Sequence, residues 1–345
     1  AKTGLIIDVK GQAEPEHVLA PRRIVAFRAD IDALRLEEAN PALQYRSANG
    51  CCHACCHDGH IVCLLGGMSK LLQELQHMPS NATARFLFQP AEEGYMGAKY
   101  MIEDGCLDGV DEIWGLHASV LDPPDAVQVR SGVINAGTTT FNITYIGAGG
   151  HSSLRAKLND PVLPLCDLNL RIERMLRAEF AHANEELFTL CCPRIESSPA
   201  MNVISGKAVL GGKLRYLDEE VGKAVFARVR ELADAVAEEY GVGARVDVQS
   251  DYPSIVNDDG LVRRLHELRP DVSEFPHVML SSDDFSLYAK KVKACYVRYF
   301  IGKQGDKTLH TPGINFNDAC IDGAATYWYD VMRDRLGINQ ADARK

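Results

Sequence analysis

Residues 23–32, with the sequence RIVAFRADID, decide the fold class of this chain. RIVAF is a mostly apolar run of strand length, and Asp30 and Asp32 follow it closely. A short apolar run that ends in polar residues is typical of a buried strand. In open α/β sheets, ligands bind beyond the carboxyl ends of the strands, so we expect the two aspartates to lie near a functional site.

The next hundred residues alternate between helical and strand patterns. Apolar residues recur at helical spacing over 61–75, and GAKYMIEDG (97–105) is also helical in pattern. ARFLFQ (84–89) and DEIWGLH (111–117) have the composition of strands. Such alternation predicts an α/β fold with a mostly parallel sheet and helices on both of its faces.

From about residue 138 the pattern changes to a strand–helix–strand–strand–helix–strand order. The α/β pattern resumes after Tyr252, with ACYVRYFIG (294–302) as a further strand. The order βαββαβ is that of a ferredoxin-like domain. We therefore expect a catalytic α/β domain formed by residues 1–137 and 251–345, with a ferredoxin-like domain of residues 138–250 inserted into it.

Composition excludes several classes of function. The chain has 345 residues, a net charge of −10 and 46% hydrophobic residues, as in ordinary globular proteins. It has no basic stripe and no run near the roughly 18 apolar residues of a membrane span, so we expect neither a nucleic-acid nor a membrane partner.

Its 11 cysteines are an odd number and include adjacent pairs, which favours free thiols in a reducing compartment. Since no targeting signal is visible, we expect a cytoplasmic protein.

Residues 51–60, CCHACCHDGH, raise three alternatives: a disulfide cluster, a structural zinc site, or half of a catalytic metal site. A closed zinc site needs a second Cys/His pair at short spacing, and Cys63 and Cys106 are isolated. On an extended loop, Cys55 and His57 would project to the same side and reach one cation. The catalytic alternative requires partners elsewhere in the chain.

Those partners follow other predicted strands. QPAEEG (89–94) brings the adjacent carboxylates Glu92 and Glu93, and His117 ends the next strand. Consecutive side chains on an extended backbone diverge, so one glutamate can bind metal while the other faces a water molecule. Because these residues and the two aspartates converge on one sheet edge, we favour a catalytic metal site.

A series of motifs, in this order along the chain, carries a family resemblance: FRADIDAL, HACCHDGH, FQPAEEG, GAKYMIEDG, GLH, GAGGHSS, MNVISGKAVLGGKLR and SSDDFSLY. They resemble the successive motifs of the M20 metallopeptidase family. The branch is that of the N-acyl-amino-acid amidohydrolases, which includes auxin-conjugate, hippurate and aminobenzoyl-glutamate hydrolases. The resemblance implies an α/β catalytic domain with an inserted ferredoxin-like lid, through which two chains form a homodimer.

The resemblance also implies roles for particular residues. Two divalent cations, zinc or manganese, would be held by Cys55, His57, Glu93, His117 and His310, the last in LHTPGINFND. Glu92 would be the general base, and Asp32 would orient a ligand. From the lid, His151, Asn202 and Arg215 would bind the substrate carboxylate and the oxyanion.

Three departures from the family pattern stand out. Cys56 occupies the usual glycine position between the Cys and His ligands, and the family's SED motif is Ser282-Asp283-Asp284 here. The resemblance also implies that the chain starts near the family's second strand and lacks about 70 N-terminal residues, which would leave apolar surface bare.

The predicted function is hydrolysis of the amide bond of N-acyl-amino acids by a metal-activated water, with Glu92 as the general base. A dipeptidase or carboxypeptidase with the same catalytic residues is the first alternative. A non-catalytic remnant that binds a ligand is the second.

Overall fold

The computed structural model describes residues 3–14, 21–41, 43–181, 187–198 and 200–338. The chain divides into two compact units. The first comprises Ala1–Ile134, Ile255–His277 and Asp283–Lys345, and the second comprises Asn135–Ser254 and Val278–Ser282. Within the described ranges, no helix combines the length and the hydrophobicity that a bilayer-spanning segment needs.

The strands, in chain order, are β1 (Leu5–Lys10), β2 (Arg23–Asp30), β3 (Ala82–Gln89), β4 (Glu112–Ser119), β5 (Val127–Val129), β6 (Gly132–Asn135), β7 (Gly137–Ile146), β8 (Gly150–His151), β9 (Phe188–Glu196), β10 (Val203–Ile204), β11 (Lys207–Tyr216), β12 (Gly243–Tyr252), β13 (Ile255–Asn257), β14 (Ser273–Glu274) and β15 (Lys293–Phe300). The helices are α1 (His57–Leu72), α2 (Glu92–Tyr95), α3 (Gly97–Glu103), α4 (Val162–Glu179), α5 (Glu219–Tyr240), α6 (Asp259–Leu268), α7 (Phe285–Ala289) and α8 (Ile321–Leu336).

The first unit is built on a seven-stranded sheet with the order β1-β3-β2-β4-β15-β5-β14. Strands β3, β2, β4 and β15 are parallel to one another, whereas β1 is antiparallel to β3 and β5 is antiparallel to β15. The predicted α/β fold with a largely parallel sheet is therefore confirmed. Asp30 pairs with Gln89 in the β2–β3 register, so both strands end level at one edge of the sheet.

Helices α1 and α8 pack closely, and glycines of α1 make this approach possible. A Cβ atom on Gly66 would lie 2.7 Å from Cβ of Ala325, and one on Gly67 would lie 2.5 Å from Cβ of Trp328. Real Cβ atoms do not tolerate such contacts, so a side chain here would push the helices apart. The close packing holds the amino end of α1, where His57 lies, against the sheet.

The second unit contains a four-stranded antiparallel sheet with the order β12-β7-β11-β9. Its elements follow the chain as β7-α4-β9-β11-α5-β12, in the βαββαβ order of the sequence pattern. Helices α4 and α5 contribute Leu168, Ile172 and Val229 to a separate hydrophobic core with Phe141 and Leu210 of the sheet.

Two features of the first unit differ from the sequence pattern. Helix α1 begins at His57, four residues before the predicted start at 61. The prediction missed the first turn because that turn is polar and carries no apolar periodicity. The sequence pattern also did not predict β1, whose exposed Leu5 and Ile6 do not alternate like a half-buried strand.

Candidate active site

The carboxyl ends of parallel strands deliver the candidate residues to one edge of the sheet. Asp30 ends β2, Glu92 and Glu93 follow β3 after two residues, and His117 lies near the end of β4. Cys55 lies in the loop just before α1. All these residues belong to the first unit, as does His310.

Cys55 lies at the centre of the candidate metal ligands. Its Sγ is 3.5 Å from Nε2 of His117 and 3.2 Å from Nε2 of His310. His310 Nε2 is in turn 3.4 Å from Oε1 of Glu93. Two groups of potential ligand atoms, each with all its atoms within 4.8 Å of one another, share Cys55: one adds His57 and His117, the other Glu93 and His310. The residues of these two groups would hold two divalent cations.

Asp32 contacts two of the candidate ligands. His57 Nδ1 lies 3.0 Å from the backbone oxygen of Asp32 and 3.4 Å from its Oδ1. The backbone N–H of Glu93 donates to Oδ2 of Asp32 at 3.0 Å. When Nδ1 of His57 carries the proton and donates it, Nε2 keeps its lone pair for a metal ion.

Glu92 and Glu93 lie on the short helix α2 rather than on the predicted extended backbone. Ala91, just before them, has the left-handed conformation with φ 61°, which turns the chain sharply at the end of β3. The expectation of an extended segment is therefore wrong. Both carboxylates reach the same group of potential ligands as His57, within 4.8 Å.

The loop before α1 is likewise not extended. Cys56, the residue between Cys55 and His57, is left-handed with φ 64° and ψ 25°, and its side chain is fully buried. Left-handed backbone favours glycine and costs other residues about 1–2 kcal/mol. The glycine that the family carries here thus has a physical reason, and Cys56 occupies the position under strain.

Cys56→Gly is expected to leave metal binding intact. The change relieves the left-handed strain but removes a buried side chain, and these effects are similar in size, so we expect a melting temperature within a few degrees of wild type. Cys56→Val should instead lower it clearly, since β-branched residues tolerate this conformation poorly. Thermal melting and metal analysis check both variants, and loss of metal in Cys56→Gly would contradict the expectation.

Buried polar atoms without hydrogen-bond partners show that the site fits metal ions. Among the described residues these include His57 Nε2 and Glu93 Oε1. Buried polar atoms normally have a hydrogen-bond partner. Unpaired nitrogen and oxygen atoms close to a thiol are therefore suited to bind a cation. A divalent cation bound by nitrogen, oxygen and sulfur atoms supplies that partner.

The ionisation of the site is set by burial and by its carboxylates. Burial, followed by the charges of Glu93 and Glu92, raises the pKa of the Cys55 thiol well above its usual value. Burial lowers the pKa of His57, but Asp30 and Asp32 outweigh it and raise the pKa to about 9, so a cation that binds His57 must displace one of its protons. Burial and Arg298 hold the pKa of His117 well below its usual value, so its imidazole is neutral, as a ligand must be.

His60 is near the site but is not available as a ligand. Its Nδ1 lies 2.5 Å from Oδ1 of Asp30, and its Nε2 accepts from the backbone N–H of Ala118 at 2.9 Å. Both ring nitrogens are therefore used to fasten α1 to the ends of β2 and β4. All eleven cysteines are free thiols, so the disulfide alternative for residues 51–60 is wrong.

The structure adds a buried charged residue that the motif analysis did not single out. Arg28 of β2 is 1% exposed and forms hydrogen bonds with Gln89, Asp30, Asp283 and Asp284. An arginine in the middle of an apolar strand is the signal that would have revealed it, since arginine is almost never fully buried unless paired.

The candidate residues of the second unit form two separate places within that unit. His151 pairs with Val203 in the β8–β10 register, which puts it beside Asn202. Both residues are exposed. Arg215 lies on β11, where its Nη1 donates to the backbone oxygen of Leu280 at 2.7 Å.

Comparison with known proteins agrees with the motifs. The model of peptidase family M20/M25/M40 matches residues 26–334. The chain is 30% identical to the N-acetyl-L-cysteine deacetylase of Bacillus subtilis, covering 98% of this chain and 79% of that protein. It is 32% identical to thermostable carboxypeptidase 1 of Saccharolobus solfataricus, covering 83% of this chain and 73% of that protein.

A solved structure shares the fold. The dinuclear metal-binding peptidase of the M20 family from Bacillus subtilis superposes with a TM-score of 0.76 at 27% identity, covering 98% of this chain and 86% of that one. The family suggested by the sequence motifs is thereby confirmed. The chain belongs to peptidase family M20/M25/M40.

Proposed function

We propose that this protein is a metal-dependent amidohydrolase that cleaves N-acyl-amino acids. The observation that carries the proposal is the pair of ligand groups that share Cys55, with Glu92 next to them. The N-acetyl-L-cysteine deacetylase relative, which aligns over 98% of this chain, supports an N-acyl-amino acid as the substrate class.

The metal ligands are Cys55, His57, Glu93, His117 and His310. One group of Cys55, His57 and His117 and another of Cys55, Glu93 and His310 suit two divalent cations. Zinc favours the thiolate, and manganese suits the nitrogen and oxygen atoms, so either metal is compatible with the set. When bound, such cations lower the pKa of water and polarise the scissile carbonyl.

Glu92 acts as the general base. It is buried, and burial followed by the charges of Asp283 and Asp284 raises its pKa well above the usual value. A carboxylate of raised pKa accepts a proton from the attacking water and then donates it to the leaving nitrogen. Asp32 holds His57 and Glu93 in place during this exchange.

The second unit is a ferredoxin-like lid and dimerisation domain in this proposal. Its strand order and the position of β9 at one edge of the sheet support this role, because an edge strand can pair with its copy in a two-fold dimer. Asn202 and Arg215 bind the substrate carboxylate. The eleven free cysteines support a reducing compartment, and we place the protein in the cytoplasm.

His151 supplies a donor to the oxyanion. Its Nδ1 accepts from the backbone N–H of Ser153 at 3.2 Å and lies 2.8 Å from the hydroxyl of Ser153. The neutral ring therefore carries its proton on Nε2, which can donate.

His151→Ala is expected to bind metal normally and to lose about 2.7–4 kcal/mol of transition-state stabilisation, the scale of one oxyanion donor. Steady-state kinetics and metal analysis check this.

Subunit exchange tests whether His151 serves the partner's site. Inactive His151→Ala mixed with inactive Glu92→Gln should regain activity, because each chain repairs the other's defect in one site of the heterodimer. Exchange shown by native mass spectrometry without recovered activity would mean that His151 does not act across the interface.

The experiment that tests the function is a substrate screen. The protein, loaded separately with zinc and manganese, is assayed on N-acetyl- and N-benzoyl-amino acids, free dipeptides and N-blocked peptides. We expect hydrolysis of N-acyl-amino acids that a chelator abolishes and added metal restores. Bound metal without turnover on any amide would favour the non-catalytic alternative.

A carboxypeptidase is the second candidate function. The 32% identity to thermostable carboxypeptidase 1 favours it, and the catalytic residues would be the same. Higher kcat/KM on N-blocked peptides than on N-acyl-amino acids would select this alternative.

A further inference from the structure

Arg28 is the centre of a buried charge cluster. Its Nη1 donates to Asp30 at 2.8 Å, and its Nη2 donates to Asp283 at 3.1 Å and to Asp284 at 3.2 Å. Its Nε donates to Gln89 at 2.9 Å. One guanidinium thus joins the end of β2, the end of β3 and the residues before α7, with three carboxylates around a single positive charge.

Both aspartates before α7 are held firmly on their other sides. Asp283 accepts from the Tyr296 hydroxyl at 2.6 Å and from the backbone N–H of Phe285 at 2.7 Å. Asp284 accepts from Gln89 Nε2 at 2.8 Å and from the backbone N–H of Ala98 at 2.9 Å. Neither carboxylate is free to turn.

Glu92 lies between this cluster and the metal ligands. Its carboxylate is within 4.8 Å of oxygens of Asp283 and Asp284, and it is also within 4.8 Å of ligand atoms of His57 and Glu93. No described side chain donates a hydrogen bond to it. Since hydrogen bonds do not fix this carboxylate, packing and the charges around it must do so.

We propose that Arg28, Asp283 and Asp284 are positioning residues for Glu92. Arg28 fixes the two aspartates, and their negative charges repel the ionised Glu92 carboxylate away from them. At these distances in a buried site, repulsion between like charges is not screened by solvent. The inference rests on the proposed function, in which Glu92 is the general base.

The size of the effect follows from the sensitivity of catalysis to geometry. A misplacement of about 1 Å in a catalytic group can cost about 10²-fold in rate. Asp283→Asn removes one repelling charge and adds an amide N–H, from which the Glu92 carboxylate can accept a hydrogen bond. We expect Glu92 to turn toward that amide and away from the metal ligands.

The decisive comparison uses two variants at the same position. Asp283→Asn keeps the shape but removes the charge and replaces one acceptor oxygen with an amide group, whereas Asp283→Glu keeps the charge but adds a methylene. If repulsion positions Glu92, Asp283→Asn should lower kcat about 10–100-fold, with KM and metal content near wild type, and Asp283→Glu should retain more activity. A role in packing alone predicts the reverse order, because the longer side chain is the one that disturbs a filled site.

Glu112→Gln is the matched control. Glu112 is also a buried carboxylate, 4% exposed, and accepts a two-pronged hydrogen bond from Arg335, but it begins β4 at the other end of that strand from His117. We expect a lower melting temperature and an unchanged kcat. A fall in kcat equal to that of Asp283→Asn would mean that loss of any buried charge is enough.

Several results would overturn the inference. An unchanged kcat in Asp283→Asn, or loss of its metal, would do so. Should that variant fail to fold, Tyr296→Phe removes the hydroxyl that donates to Oδ2 of Asp283 and leaves this oxygen only the longer hydrogen bond from Arg28 Nη1 at 3.4 Å. We expect this variant to lower kcat about 3–10-fold with metal retained, and an unchanged kcat there overturns the inference as well. Wild type without turnover would overturn the proposed function too, whereas an active wild type with an equally active Asp283→Asn overturns this inference alone.

Discussion

Glu92→Gln is expected to bind metal like wild type and to lose turnover by about 10²–10⁴-fold, the range that one general base contributes. Glutamine keeps the size of the side chain but cannot accept a proton from water. Glu92 is buried, so bulk solvent does not replace it easily. Single-turnover kinetics on an N-acyl-amino acid, together with metal analysis, measure the two properties separately.

Glu93→Gln is the matched comparison for this first prediction. Glu93 Oε1 is buried without a hydrogen-bond partner and belongs to the ligand group of Cys55 and His310. We expect this variant to lose metal affinity, and its activity should recover partly at high metal concentration. The two glutamates would not have distinct roles if both variants lost the same amount of metal.

Cys55→Ser is expected to have the second large effect, loss of both metal ions. Cys55 belongs to both ligand groups, so its removal weakens each of them. A serine hydroxyl is a poorer ligand than a thiolate and is not deprotonated near neutral pH. We expect the affinity for zinc to fall by more than the roughly 10–100-fold that loss of an outer-shell partner causes.

Competition with a chelator measures this affinity, and Cys52→Ser is the control. Cys52 lies in the same loop and is also buried, but it belongs to none of the candidate ligand groups of the described residues. We expect Cys52→Ser to reduce the melting temperature while both metal ions remain bound. Equal zinc affinity in Cys55→Ser and wild type would show that the thiolate is not a ligand.

Hydrophobic periodicity was sufficient to predict most of the fold. The buried run of β2 and the helix α3 were predicted within a few residues of their observed bounds. Each of these segments buries one face or its whole length, so its apolar residues mark the positions that are removed from water. Short β14 and the exposed edge strand β1 lack such a pattern, because pairing with a neighbour rather than burial determines them.

The sequence also indicated which side chains take part in the candidate site, since Cys55, His57, Glu93, His117 and His310 all lie in the first unit near one another. Their local geometry was not predictable. The left-handed conformations of Cys56 and Ala91 follow from the packing of the loops against the sheet, and propensity alone disfavours them.

The sequence by itself determined the family and the largely parallel sheet and indicated the candidate ligands, because each depends on local patterns of residue type. Only the tertiary structure decided that Cys55 is shared by two ligand groups, and that Arg28 joins Asp283 and Asp284 behind Glu92. Arg28 and Asp283 are separated by 255 residues, and contacts over such a distance arise only when the strands pack. Burial then gives these charges their strength, since the same groups in water would be screened.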